Sequence, residues 1–598
     1  MPDFQNPNQD PGMERRLLLV FALTFIVIIV CQPLLKKYLP QPVTPPAQTQ
    51  SQKQTQGASL APTANSPSVA PPASAMPIPA GVKQASAESE TVIENDLYRI
   101  TFTNRGGQVK SWILKKYDDD KGQPLNLVNQ VAADKYGFPL SLWTYDEAQR
   151  NKINAALYVV SQSDKLEAGG NRTLTFEYVD PEVTVRKVFH FDQSYVIGVE
   201  TSVLSKGNLV SALPMWPAGF GDELTPASYA AGKIEYHNEE STERSLFIFP
   251  SLTQRLAIKA ISSGNSLQGP FNWAGVTDQY FAAVFIPDDP RATTTVVLRN
   301  SIDIPKDPAK PNLQDMQKME VLGAAVGNLH APTVERFFVG PKSLHIVEAV
   351  PVPGIADHAD LRDLVNFGFF GLIARPLFLW LQWTHLHIAT NWGWAIVLQT
   401  LVISLALLPL RISSMKSALK MQKIQPQMNS IKDKYKKYGM RDPRRQEMNV
   451  EIGSLMKREG VNPVGGCLPM IIQMPFLFAY YSMLNAALDL RHAHWLWIGD
   501  LSSADPWLVL PICLVLSMVI TQRLTPQAGM DPQQQKMMNL VMPIMMGAIF
   551  YKLAAGVTLY YMESNLVSIV QQVVLNRTSL GRDMREMALK RARKNKDK

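Results

Sequence analysis

Six stretches of this chain are too long and too apolar for an ordinary water-soluble fold: Leu17–Leu35, Asn391–Leu410, Val464–Leu484, Trp507–Thr521, Met537–Tyr551 and Gly556–Leu575. Each holds about 15 to 21 residues, whereas about 20 apolar residues cross a hydrocarbon core about 30 Å thick, and shorter runs manage by thinning the bilayer. A wholly soluble protein is excluded. The chain-wide averages hide this, because 46% apolar and 18% charged blend segments of opposite character over 598 residues. All three cysteines, Cys31, Cys467 and Cys513, fall within the apolar stretches, so they supply neither a disulfide framework nor a zinc site.

Charge orients the spans. Thr91–Asp360 carries 25 Lys/Arg against 32 Asp/Glu, a net of −7; Arg411–Gly460 carries 13 against 5, a net of +8; Asn576–Lys598 carries 9 against 3, a net of +6. Short basic loops stay in the cytoplasm, while large domains translocate largely regardless of charge. Threading six spans from a cytoplasmic N-terminus (residues 1–16) leaves both basic segments inside and the acidic domain outside. The first span, 17–37, reads as an uncleaved signal anchor, since its apolar run continues to Leu35 with no small-residue cleavage site close behind.

Residues 38–90 are rich in Pro, Ala, Ser, Thr and Gln and cannot bury enough surface to fold, which makes them a linker outside the membrane. From residue 91 to 360 the apolar period becomes two: Leu174, Phe176 and Tyr178, then Val183, Val185, Phe189 and Phe191, with Asp180-Pro181 as the turn between them. Further turns fall at Asn104–Gly107 and Ala168–Asn171. This predicts one large antiparallel β-sandwich. Residues 361–384, apolar but interrupted by Arg362, Asp363, Arg375 and Pro376, read as an amphipathic helix in the outer interface, with Trp380 and Trp383 at headgroup depth. The membrane core is 385–575. Within it, 411–461 is a basic helical hairpin broken at Pro426 and at Gly439–Pro443, and 576–598 is a basic tail.

Hydrocarbon penalises polar groups, so those inside spans point to function. The second span carries Gln399, Thr400 and Ser404, with Arg411 just beyond; the third carries Gln473, Tyr480 and Tyr481. The sixth is the most polar, with Thr558, Tyr560, Tyr561, Glu563, Ser564, Asn565, Ser568, Gln571 and Gln572. Interhelical hydrogen bonding accounts for any one of these, but together they suggest a wet surface sunk into the bilayer. The fourth and fifth spans, at 15 residues or about 22 Å, are short enough to thin the membrane. Flexible methionines such as Met474, Met542 and Met545 suit varied apolar partners, or ordinary core filling equally well. Lys432, Lys434, Lys436 and Lys437 in the hairpin, and Arg577, Arg591 and Arg593 in the tail, point to ribosomal RNA or anionic lipid; a plain topology signal is the alternative.

Val461-Asn462-Pro463-Val464-Gly465-Gly466-Cys467-Leu468-Pro469 followed by Ile472-Gln473-Met474-Pro475-Phe476 resembles the third span of the bacterial YidC membrane protein insertase family. Asp531–Met537, Leu559-Tyr560-Tyr561, Ser564-Asn565-Leu566 and Gln571-Gln572 are similar to its later motifs, and Arg105-Gly106-Gly107 and Gly340-Pro341-Lys342 to its periplasmic domain. The resemblance implies a multi-pass α-helical protein of the bacterial inner membrane. Six spans would include a five-helix insertase core, and a large all-β periplasmic domain of supersandwich type would lie outside. It implies a membrane protein insertase and folding chaperone, working alone or with the Sec translocon, that moves hydrophilic segments of nascent membrane proteins through a groove. The matching groove positions are Thr400, Met474, Leu477, Tyr560 and Tyr561, to which the polar residues above add Gln473. One departure matters: the family's groove arginine falls at Ser404, and Arg411 lies seven residues further, about 10 Å nearer the cytoplasm on a straight helix. Glu563 stands where the family usually has an apolar residue.

An enzyme and a small-solute transporter or channel are the rival classes. The sequence carries no P-loop, H-E-x-x-H or nucleophile elbow, so no catalytic residue, metal or small-molecule cofactor is expected. His385, His387, His492 and His494 read as interfacial histidines. No internal repeat of the kind transporters show is visible between the spans.

Overall fold

The computed structural model describes residues 81–163, 172–223, 225–238, 253–306, 315–355, 359–438, 442–461, 468–524 and 532–578. The first span, most of the linker, the Ala168–Asn171 turn, Arg591 and Arg593 lie outside the described residues. Two compact units divide between Leu364 and Val365.

In the N-terminal unit, the period-two segments become strands Arg172–Val179 and Val183–Phe191, antiparallel from Val179↔Thr184 to Arg172↔Phe191. Asp180 closes their turn by accepting from the amides of Glu182 (2.7 Å) and Val183 (2.6 Å). Among the described residues all strand pairings are antiparallel, but they build three sheets, of four, ten and five strands, rather than two simple layers. One aromatic cluster explains the third sheet. Trp112 from the four-stranded sheet, Trp216 from the five-stranded and Phe337 from the ten-stranded lie 6.1–6.4 Å apart, each fully or almost fully buried. Three inner faces therefore share one core.

The Asn104–Gly107 turn has a second role. Gly106 and Gly107 adopt φ of 68° and 54°, and a Cβ on Gly106 would stand 2.4 Å from the Asn154 carbonyl. Their carbonyls, with that of Leu140, accept from the buried Lys187 ammonium at 2.6, 3.1 and 2.8 Å. Burial pushes this amine down to about 7.

The C-terminal unit is helical: α1 (Gly371–His387), α2 (Trp392–Ala406), α3 (Leu408–Tyr435), α4 (Arg444–Arg458), α5 (Leu468–Ala486), α6 (Val509–Leu524), α7 (Pro532–Phe550) and α8 (Ala555–Arg577). Its boundaries correct several expectations. Arg362 and Asp363 occupy a separate 3-10 turn, Arg362–Leu364, and α1 starts only at Gly371. The second apolar stretch is not one straight helix: α2 and Leu408–Ser414 meet at 47°. Pro409, in the first turn of α3, has no amide to continue the α2 ladder, and its ring disfavours a straight path. Pro426, by contrast, does not break α3. Ile424 and Met428 on either side of it pack with Tyr435, Met448, Ile452 and Leu455 into the hairpin core, and this burial offsets a penalty of about 3 kcal/mol. Helix α7 has 19 residues, starting before Met537 because glutamines and lysine propagate helix well, although its apolar part remains Met537–Phe550. Among the described residues no single helix is long and apolar enough to cross a membrane, but the bent pair Trp392–Ala406 and Leu408–Ser414 is.

Helix α8 packs on α6, α2 and α5, and α1 lies on α5 and α2. Asn391 caps α2, accepting from the Gly393 amide at 3.0 Å, and donates to the His494 carbonyl at 2.8 Å. At this end Trp394 meets Trp495, and His385 stacks on Trp392 with ring centres 3.8 Å apart.

Candidate functional site

The polar residues of the apolar helices gather into two nodes. The first is enclosed. Tyr480 on α5 donates to Gln399 Oε1 on α2 (2.5 Å), and Gln399 Nε2 donates to the Leu377 carbonyl on α1 (2.9 Å), so one amide joins three helices. The Tyr480 ring stacks on Tyr560 of α8, centres 3.9 Å apart at 11°. Thr400, also buried, donates to the Ile396 carbonyl within its own helix.

The second node surrounds Arg411. The bend at Leu407 redirects the start of α3, and the Arg411 guanidinium reaches α8. Nη1 donates to Gln571 Oε1 at 2.6 Å and Nη2 to Ser568 Oγ at 2.5 Å. Gln571 Nε2 in turn donates to the Ser404 carbonyl of α2 at 3.1 Å, and Ser568 donates to the Ser564 carbonyl. Arg411 and Ser404, seven residues apart, thus belong to one network through Gln571. The cation's partners are neutral acceptors, and it makes no ion pair among the described residues. Nearby, Gln473 Nε2 lies 3.5 Å from Ser564 Oγ, the long limit of a hydrogen bond.

The remaining groove positions differ in exposure. Met474 is 44% exposed. Leu477, Tyr561 and Glu563 are half-buried, and Tyr561 stacks on Phe550 of α7. Met474, Leu477, Tyr561 and Glu563 have no hydrogen bond to the two nodes among the described residues. In the hairpin, Lys434 pairs with Glu451 at 3.2 Å, which raises the lysine's pKa, and Lys436 and Lys437 are exposed. Lys432 is half-buried, and Arg577 is exposed at the end of α8.

Sequence reasoning chose Thr400 and Tyr560 by resemblance but left Gln399, Tyr480, Ser568 and Gln571 as unassigned polar residues. A usable signal was present: Ser564, Ser568 and Gln571 recur at four and three residues, one face of α8.

A family model described as the YidC periplasmic domain matches residues 90–380, and one described as 60Kd inner membrane protein matches residues 383–582. The membrane protein insertase YidC of Geobacter metallireducens is 30% identical over 578 residues, covering 95% of this chain and 99% of that one. The corresponding protein of Citrifermentans bemidjiense is 31% identical over 502 residues, 82% and 85% of the two chains. Among solved structures, an active YidC insertase crystal structure matches 83% of this chain and 94% of that one at 18% identity and a TM-score of 0.33. The sequence relatives carry the assignment. With a β-rich domain followed by a helical core, matched in order along nearly the whole length, this chain belongs to the YidC family of inner-membrane protein insertases.

Proposed function

We propose that this insertase moves hydrophilic segments of nascent membrane proteins along a polar groove centred on Arg411, on the side of the bundle built by α2, α5 and α8. The observation that carries this reading is the Arg411 node: a cation held against α8 by Ser568 and Gln571, with its charge uncompensated among the described residues. Such a cation attracts the acidic groups of a passing segment. Thr400, Ser404, Gln473, Met474, Leu477, Tyr560, Tyr561 and Glu563 line or support the path, the exposed Met474 adapting to varied apolar side chains. The family is not one of enzymes. Insertion draws on hydrophobic partitioning and on the membrane potential, worth about 2.3 kcal/mol per charge per 100 mV.

The topology proposed is six spans with both termini in the cytoplasm and the β-rich domain in the periplasm. Helix α1, Gly371–His387, lies in the outer interface. Lys432, Lys434, Lys436 and Lys437, with Arg577, Arg591 and Arg593, contact the ribosome by neutralising RNA phosphates; anionic lipid is the competing partner. The Sec translocon is a partner for a subset of clients. Truncation at Asn576, followed by ribosome co-sedimentation at several salt concentrations, tests the tail: a salt-steep loss of binding is expected.

Photocrosslinkers at Met474 and Tyr561 test the path, with adducts to a ribosome-bound nascent membrane protein expected from both. Cysteines at Ser404 and Tyr561 that resist water-soluble maleimides would overturn the groove.

A further inference from the structure

The sixth apolar stretch contains a carboxylate that the Arg411 network does not use. Glu563 is half-buried on α8 and has no hydrogen bond or ion pair among the described residues. The side of α8 that packs carries Tyr560, Ser564, Val567, Ser568, Gln571 and Gln572, all buried. Its open stripe carries Leu566, Val570 and Val574, at 42%, 62% and 58% exposure. At 100° per residue, Glu563 lies within about 20° of both Val570 and Val574. The carboxylate therefore heads a stripe that is otherwise apolar and exposed.

An ionised carboxylate facing hydrocarbon costs about 2.5–3.5 kcal/mol, and the described fold supplies no counter-charge to offset it. Along the helix, Glu563 precedes Ser568 by about 7.5 Å and Gln571 by about 12 Å. Arg411 is anchored on those two residues by one N–H from each of its terminal nitrogens, rather than on Glu563. The open stripe therefore presents a negative point at one level and the Arg411 node a positive point nearer the Arg577 end.

We propose that Glu563 is a specificity-determining residue of the insertion path, receiving a cationic side chain of the client segment that runs along the Glu563–Val574 stripe. The inference rests on the insertase path proposed above and deepens it. Arg411 favours acidic groups, Glu563 favours basic ones, and clients carrying lysine or arginine in the translocated segment are accommodated where a single-cation groove would repel them.

The test uses the full-length protein in proteoliposomes and two clients that differ at one position of the translocated tail, Lys in one and Asp in the other. Glu563→Gln is expected to lower the Lys-to-Asp insertion ratio about fivefold, the scale of one partly exposed charge pair. Glu563→Asp is expected to keep the ratio within about twofold, and Glu563→Lys to invert it. An unchanged ratio in Glu563→Gln overturns the proposal. So does an equal loss of both clients in a variant that melts with the parent. Should Glu563→Gln melt early, the Glu563→Lys ratio decides. Photocrosslinking from Met474 and Tyr561 is run alongside: missing adducts would sink the path itself, whereas adducts with unmoved ratios would sink only the role of Glu563.

Discussion

Replacing Arg411 by alanine removes a side chain that joins the start of α3 to α8. Two charge-assisted hydrogen bonds are lost, at 2.6 and 2.5 Å, each worth about 1.5–3 kcal/mol. Ser568 and Gln571 stay tethered by their own donations to the Ser564 and Ser404 carbonyls, but Gln571 Oε1 and Ser568 Oγ lose the donor they accept from, so the cost is at least the low end of the sum, about 3 kcal/mol. At 1.36 kcal/mol per decade this is about 150-fold in the equilibrium that keeps the node assembled. Lys432, half-buried on the hairpin, has no such contacts among the described residues, and its truncation is expected to cost less than about 0.5 kcal/mol. The assay is client insertion into proteoliposomes, with complementation of an insertase-depleted strain beside it. Arg411→Ala should impair insertion by at least about tenfold and Lys432→Ala by less than about twofold. Arg411→Lys, which keeps the charge but not the two-pronged fit, should fall between them. Equal effects of Arg411→Ala and Lys432→Ala would refute the node as the centre of the path.

Three other perturbations probe the scaffold. A double-mutant cycle of Tyr480→Phe and Gln399→Leu, read by thermal unfolding in detergent, should give a coupling of about 0.6–1.7 kcal/mol; a value near zero would mean that the amide does not couple the helices. Gly393→Ala places a Cβ 2.1 Å from Trp495 Cδ1, and the ring must move, so destabilisation of about 1–3 kcal/mol and a shift in Trp emission are expected; an unchanged melt would mean Trp495 is loosely held. Lys187 holds fewer protons folded than unfolded between about pH 7 and its ordinary 10.5, so its burial costs stability below pH 7 and the cost shrinks as pH rises through that window. Denaturant midpoints of the β-rich unit should therefore rise from pH 7 to 9, and Lys187→Met should flatten that rise, while losing the three carbonyl contacts; an unaltered slope would refute the assignment.

Patterning alone was enough for the coarse plan. Period-two segments such as Thr173–Phe191 became strands because alternation can bury only one face of a sheet, and the apolar stretches became helices because an isolated strand cannot satisfy its backbone in lipid. The hairpin was legible too: Met448, Ile452 and Leu455 share one face at any register. The groove positions came less from periodicity than from motifs, and where the family's motif has its arginine this chain has Ser404, with Arg411 seven residues, about two turns, further on.

The three-sheet core, the bend at Leu407, the continuity of α3 through Pro426 and the partners of Arg411 were beyond the reach of the linear chain. Each depends on groups far apart in sequence. Trp112, Trp216 and Phe337 come from separate sheets, and Arg411 meets Gln571 across 160 residues. Local spacing determines which side of an element is apolar or polar, because backbone geometry repeats within a few residues. Which polar group satisfies which other, and whether a proline bends a helix or is carried through it, is settled only when distant surfaces compete for the same contacts.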